Sequence, residues 1–407
     1  MEPQLSRSQF VRWRFAIFAI FTISGLSITT WASRVPAIKM ALDIQNYQIG
    51  LLLLGAGTAS ILGVSLAPIL VARLGAKRGM LLAALTFAAG VALVGIGTDL
   101  VHSYSAVAIG LALFGLGNGV IDVMMNVEAA AIEKHGKRTI LPLFHAFFSV
   151  GTFIGAGLGF LSEGWRLPVV THTSVIALVI AAVALFSISS VPARAIAMDP
   201  APVARRSLQQ RLGQIFAVWR EPRIYALGVI ALGMAFAEGG ASDWLALGIV
   251  DGHDGSPALG AAGLAIFAVF MTVARALGGP LVDRFGRVNI LRTTSALTAV
   301  GILLFIVAPS LPLVLLGAAL WGAGAALGFP IAVSAAADDP ARAAVRVSAV
   351  SMIGYIAFLC GPPLLGVISD TIGLLNTLYI LAALAVASGI AAAAARPLRA
   401  ATAPPAQ

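Results

Sequence analysis

Long apolar runs separated by short polar breaks cover most of the chain. They fall at roughly 13–34, 47–72, 79–98, 104–128, 141–162, 168–190, 223–250, 258–282, 288–308, 311–336, 346–368 and 372–395. Each is near the twenty or so residues that cross a bilayer as a helix. None alternates with the period of two expected of a barrel strand. The pattern predicts an all-α membrane protein with twelve spanning helices. The only long polar connection, 191–222, contains Pro192, Pro200, Pro202, Arg205, Arg206, Arg211 and Arg220. It divides the chain into a six-helix bundle over 1–192, a linker over 193–221, a second six-helix bundle over 222–396 and a short tail over 397–407.

Composition agrees: 59% of residues are hydrophobic, 11% are charged and the mean hydropathy is +0.97. No soluble domain needs that balance. The net charge of +9 is explained by topology and needs no nucleic-acid partner. With the N-terminus inside, only Arg34, Lys39 and Arg166 of the 26 Lys and Arg residues fall on the outer side. Excess positive charge marks the cytoplasmic side, so both termini are expected in the cytoplasm, with the chain a monomer in the cell inner membrane. The basic N-terminus precedes an apolar run without a clear small-residue cleavage site, and that run reads as a retained first helix. Cys360, the single cysteine, rules out an internal disulfide and reads as a small packing residue.

The halves repeat. LAPILVARLGAKR at the end of the second run matches LGGPLVDRFGRVN at the end of the eighth, with Gly75 aligned on Gly286 and Arg73 on Arg284. FGLG at Phe114–Gly117 matches WGAG at Trp321–Gly324. Duplicated bundles of this kind place a substrate site at mid-membrane between them.

Candidate chemistry concentrates in FGLGNGVIDVMMNVE, Phe114–Glu128. A spacing of four puts Asn118, Asp122 and Asn126 on one helical face. A carboxylate inside a spanning helix costs at least a few kcal/mol unless it faces a cavity or a partner. Asp122 therefore reads as a proton-coupling group, or as a structural carboxylate with a permanent partner. Gly115, Gly117 and Gly119 thin the same helix for close packing. In the seventh run, Glu238 and Asp243 are two further intramembrane acids. Five residues apart, they lie about 140° apart on a helix, and Gly239 and Gly240 mark a place where it can bend.

Several residues admit two readings. Arg34 could hold an anion or answer Asp122, or it could snorkel to water. Trp31 and Trp244 occupy matching places in the repeat; they could stack on a sugar ring or a flat cation, or belong to the interfacial aromatic belt. His145 is able to titrate near neutral pH. Tyr355 in the eleventh run completes the candidate binding set. Arg275 fits a gating role with the loop that follows it.

The run Gly279, Asp283, Arg284, Gly286 and Arg287 fits the cytoplasmic loop motif of the major facilitator superfamily. The first-half copy keeps Arg73, Gly75, Lys77 and Arg78, but has Pro68 and Ala72 where the motif has Gly and Asp. The chain thus resembles that superfamily over its whole length. GLGNGVIDVMMN and AEGGASDW (Ala237–Trp244) resemble its fucose permease branch, which includes proton-coupled sugar symporters and rhizopine permease-like proteins. In those symporters a helix-four carboxylate stands where Asp122 stands, four residues before an Asn. Val127 replaces the Pro that follows, and their helix-one Asp has no equivalent here. The resemblance implies that the loop motif locks the outward-open state. With Ala72 in the first copy, Asp283 and Arg284 are expected to carry most of that lock.

No phosphate-binding glycine loop with its Lys appears, nor His or Cys at metal spacing, nor a Ser-His-Asp set on one side of the membrane. The expectation is a non-enzymatic secondary transporter in the lipid bilayer, needing no cofactor or metal beyond the proton as coupling ion. It would take up a small sugar-like solute through Asp122, Glu238 and Asp243. The alternative is a proton-driven exporter of amphipathic compounds.

Overall fold

The computed structural model describes residues 6–136, 140–192, 218–339 and 342–397. Among these residues, twelve helices are long and apolar enough to span a membrane. They are α1 (Arg7–Ala32), α2 (Asn46–Ala67), α3 (Arg73–Asp99), α4 (Tyr104–Glu133), α5 (Leu143–Gly164), α6 (Val169–Ser189), α7 (Pro222–Gly252), α8 (Pro257–Phe285), α9 (Arg287–Val307), α10 (Leu311–Ala336), α11 (Val345–Ile372) and α12 (Leu374–Ala395). Among the described residues every regular element is helical. The predicted runs and the helices agree within about five residues, except that α1 starts at Arg7 and α3 at Arg73, each well ahead of its run. Nearly all of the linker expected over 193–221 and of the tail over 397–407 lies outside the described residues.

The repeat is visible in the backbone. Gly75 turns α2 into α3 at φ 73° and ψ 162°, and Gly286 turns α8 into α9 at φ 78° and ψ 153°. A side chain is strained there, so the motif glycines are set by the turn. Asp43 and Asp254 take φ 50° and 52° at the opposite end, ahead of α2 and α8. Small residues then set the helix spacing. A Cβ at Gly115 or Gly119 would lie 2.1 Å from the carbonyl oxygen of Ala56 or Ser60 on α2, and one at Gly117 would meet Ala83 and Phe87 on α3. On α10, Gly322 and Gly324 meet α8 and α9 in the same way. The α1–α5 contact is equally close, with Gly25 against Phe148 and Gly151 against Thr22.

The halves meet along α2 with α11 and α5 with α8. Gly50 abuts Pro362 and Gly366 abuts Asn46, each at 2.7 Å from an added Cβ to a carbonyl oxygen. Lys39, on a short helix Val35–Leu42 after α1, forms an ion pair with Asp251 at the end of α7. These contacts lie at the end opposite the termini, hereafter the distal end. Toward the end that carries the termini, α2, α8 and α11 expose Ile61, Leu62, Leu277, Leu281, Met352 and Tyr355. The ion pairs found at that end among the described residues, from Arg223, Arg287, Arg342 and Arg346 to Glu221, Asp338 and Asp339, stay inside the second half. Among the described residues, the molecule is closed at the distal end and open at the other.

Candidate functional site

Ionisable side chains from four helices converge between the halves. Asp122 is exposed on α4, because the glycines beside it turn the other faces of that helix into α2 and α3. The next residue up its face, Asn118, accepts a hydrogen bond from Ser24 Oγ of α1 at 2.9 Å. The next one down, Asn126, donates to the Asp122 backbone carbonyl at 2.8 Å and to its carboxylate at 3.3 Å. The face predicted from the spacing of four is therefore one polar strip. His145, exposed on α5, interacts electrostatically with Asp122 and also with Arg275 of the other half.

Across the gap, Nη2 of Arg275 on α8 lies 2.7 Å from both carboxylate oxygens of Glu238 on α7. Its Nε donates to the Ala326 carbonyl at 3.2 Å. That carbonyl is available because α10 breaks after Ala325. Arg275 thus ties together α7, α8 and α10. It joins Glu238 and not the loop motif, and this corrects the gating role read from its spacing to Asp283. Charge-assisted bonds of this length are the strong kind.

Asp243 faces α11 in a narrow crevice with Gly239, Gly240, Ala357 and Gly361, and makes no ion pair or hydrogen bond among the described residues. Glu238 and Asp243 sit on different faces, as the helical angle requires. Tyr355 is exposed on α11, its ring 6.1 Å from that of Phe329.

Other candidates lie elsewhere. Arg34 is 2% exposed and pairs with Glu163 of α5 at 3.1 Å, while donating to the Leu167 carbonyl at 2.6 Å. It neither snorkels nor answers Asp122. Trp31 packs edge-on against Phe114 in an apolar pocket of the first half, and Trp244 is fully buried. Neither offers a ring face to the gap or lies exposed at an interface. Cys360 is exposed and not a packing residue. In the loop motif, Asp283 makes no bond among the described residues and Arg284 lies over the Phe285 ring. Arg73, Gly75 and Arg78 frame the matching turn, and Gly279 has open space around it. Arg287 instead bonds Asp338 at 2.6 Å, and Arg223 bonds the other oxygen of that carboxylate at 2.9 Å. The lock expected of Asp283 and Arg284 is not seen among the described residues.

Some polar groups were not singled out from the sequence. Glu128, fully buried on α4, accepts from Trp13 Nε1 at 2.8 Å. It lies inside the stretch that carries Asp122, so an intramembrane acid was there to be noticed. Glu163 and Asp370 sit at helix ends, where an acid looks like an ordinary loop residue.

Two pseudo-symmetric six-helix halves, with paired charges in the gap between them and one end open, define a multi-pass membrane transporter. The family profile for the Major Facilitator Superfamily matches residues 15–266 and 244–406. The chain belongs to this superfamily. An uncharacterised MFS-type transporter of Yersinia pestis is 31% identical over 364 residues, covering 89% of each chain. Among solved structures, a point mutant of the nucleoside transporter NupG aligns with a TM-score of 0.77 at 16% identity, covering 95% of this chain and 100% of the other. A mutant of the E. coli fucose:proton symporter FucP aligns with a TM-score of 0.63 at 18% identity, covering 95% and 99%.

Proposed function

We propose that the protein takes up a small polar, sugar-like solute together with protons across the cell inner membrane, as a monomer and without a further cofactor. The observation that carries this reading is the set of ionisable side chains brought together in the gap, Asp122 and His145 of one half and the Glu238–Arg275 ion pair of the other. A buried or half-buried carboxylate gains a proton at a cost that depends on which cations stand beside it. Rocking of the halves changes those neighbours, so proton loading and access change together. Asn118 and Asn126 supply the hydrogen-bonding groups a hydroxylated solute needs. With the Lys- and Arg-rich end in the cytoplasm, this reading makes the open end the inward-facing one. The solutes carried by NupG and FucP support the same class, a nucleoside or a free sugar. Met352, Tyr355 and Phe358 exposed on α11 support a second reading, export of amphipathic compounds.

Thermal stabilisation of the purified protein separates the two. The panel is neutral sugars, nucleosides, polyols, sugar acids and flat aromatic cations, at pH 5.5 and 7.5. A ligand at a hundred times its Kd stabilises by about 2.7 kcal/mol. A sugar or nucleoside hit whose pH dependence disappears in Asp122→Asn is expected. Hits confined to the flat cations would overturn uptake of a polar solute and leave export.

A further inference from the structure

The distal closure is not symmetric. Besides the Lys39–Asp251 ion pair, one element bonds across it through a helix end: Asp370, at the end of α11. One carboxylate oxygen accepts the backbone N–H of Asn46 at 3.1 Å and the other that of Tyr47 at 2.9 Å. These are the first two amides of α2, in the other half of the molecule. The first turn of a helix has no intrahelical partners for its N–H groups, and a carboxylate there also meets the positive end of the helix dipole. The Gln48 N–H turns back to the Gln45 carbonyl at 3.1 Å, so the two amides before it depend on Asp370. The contact sits beside a close approach of the seam, Gly366 against the Asn46 carbonyl.

The repeat shows what is unusual about it. The offset that aligns FGLG with WGAG also aligns Ser162-Glu163 with Ser369-Asp370, and both serines are buried. Glu163 is therefore the counterpart of Asp370. It does not reach α8 across the other seam, for it is held within its own half by Arg34 at 3.1 Å. Nor does α8 need it. Ser256 caps that helix by accepting the Leu259 N–H at 3.3 Å, and Pro257 at its first position has no N–H to satisfy. Among the described residues, the α2–α11 seam is bonded across the halves and the α5–α8 seam is packed.

We propose that Asp370 is a positioning residue of the transport cycle, a one-sided latch whose bonds to α2 must break before the distal side opens. The proposal rests on the alternating-access reading of the superfamily fold and not on the identity of the solute or on proton coupling. The ligand-free test below therefore fails or succeeds independently of those.

Spin labels at Val101 and Val307, which are exposed on opposite halves at the distal end, report opening as a distance increase by double electron–electron resonance. The background is Cys360→Ser. Loss of two charge-assisted bonds in Asp370→Ala is expected to raise the open-to-closed ratio roughly tenfold or more. Asp370→Asn, which keeps one acceptor, gives a smaller rise, and Asp370→Glu restores the closed distribution in part. Glu163→Gln lowers Tm but leaves the distances unchanged. The proposal is overturned if Asp370→Ala matches the wild type, or if Glu163→Gln opens the distal side as much. Should the Ala variant fail to fold, Asp370→Asn decides: a wild-type distribution in that variant sinks the latch.

Discussion

Replacing Arg275 by Gln would leave the Glu238 carboxylate without its cation. The two side chains are 32% and 21% exposed, between the fully buried and the open case. Removing one partner of a buried pair costs about 3–5 kcal/mol, while exposed pairs are worth about 0–1 kcal/mol. An intermediate loss of about 2 kcal/mol follows, which includes the bond to the Ala326 carbonyl. For a unit the size of one half, about 2–4 °C of Tm accompanies each kcal/mol, so Tm should fall by roughly 4–8 °C. Glu238→Gln alone leaves the guanidinium partnered only by a carbonyl and an amide, and should also cost. The double variant, with Glu238→Gln and Arg275→Gln combined, buries no unpaired charge. It should be more stable than the sum of the single losses by about 1–2 kcal/mol. The assay is melting of all four proteins in one detergent. Additivity within about 0.5 kcal/mol would refute the pairing as a source of stability.

Asp338 lies outside the spans. Burial works to raise its pKa, but the hydrogen bonds and charges of Arg287 and Arg223 outweigh this and hold the carboxyl below its ordinary 3.8. A depressed folded-state pKa gives stabilisation that is complete above the unfolded value and is lost as pH falls through the folded one. Asp338→Asn should therefore melt lower than the wild type at pH 7. The two melting curves should converge as pH drops below about 4, and a gap that stays constant with pH would contradict the assignment. Gly119→Ala should destabilise by about 1–3 kcal/mol through overpacking, since its Cβ would fall 2.1 Å from the Ser60 carbonyl oxygen. Gly157→Ala has open space and should be neutral or stabilising by up to about 1 kcal/mol. Equal effects of the two on Tm would show that helix spacing on α4 is not set by that contact.

The twelve helices, their division into two halves and the turns between them were written in the order of residues alone. Spanning segments need a fixed length of apolar residues, and that requirement is met locally. Gly75 and Gly286 were legible as equivalents because a turn with positive φ selects glycine wherever it recurs. The strip of Asn118, Asp122 and Asn126 was legible too, since helical period alone puts the three on one face. Partner choice was not. Arg275 could be placed on a helix face, but whether it met Asp283 or Glu238 depended on the break in α10 and on how α7 packs beside α8. Arg34 went to Glu163, and Trp31 went into the packing, because the distal corner of the first half closes around them. Asp370 gave no local signal whatever. Its role comes from a helix end 324 residues away in the chain, and only the meeting of the two halves brings that end within hydrogen-bonding distance.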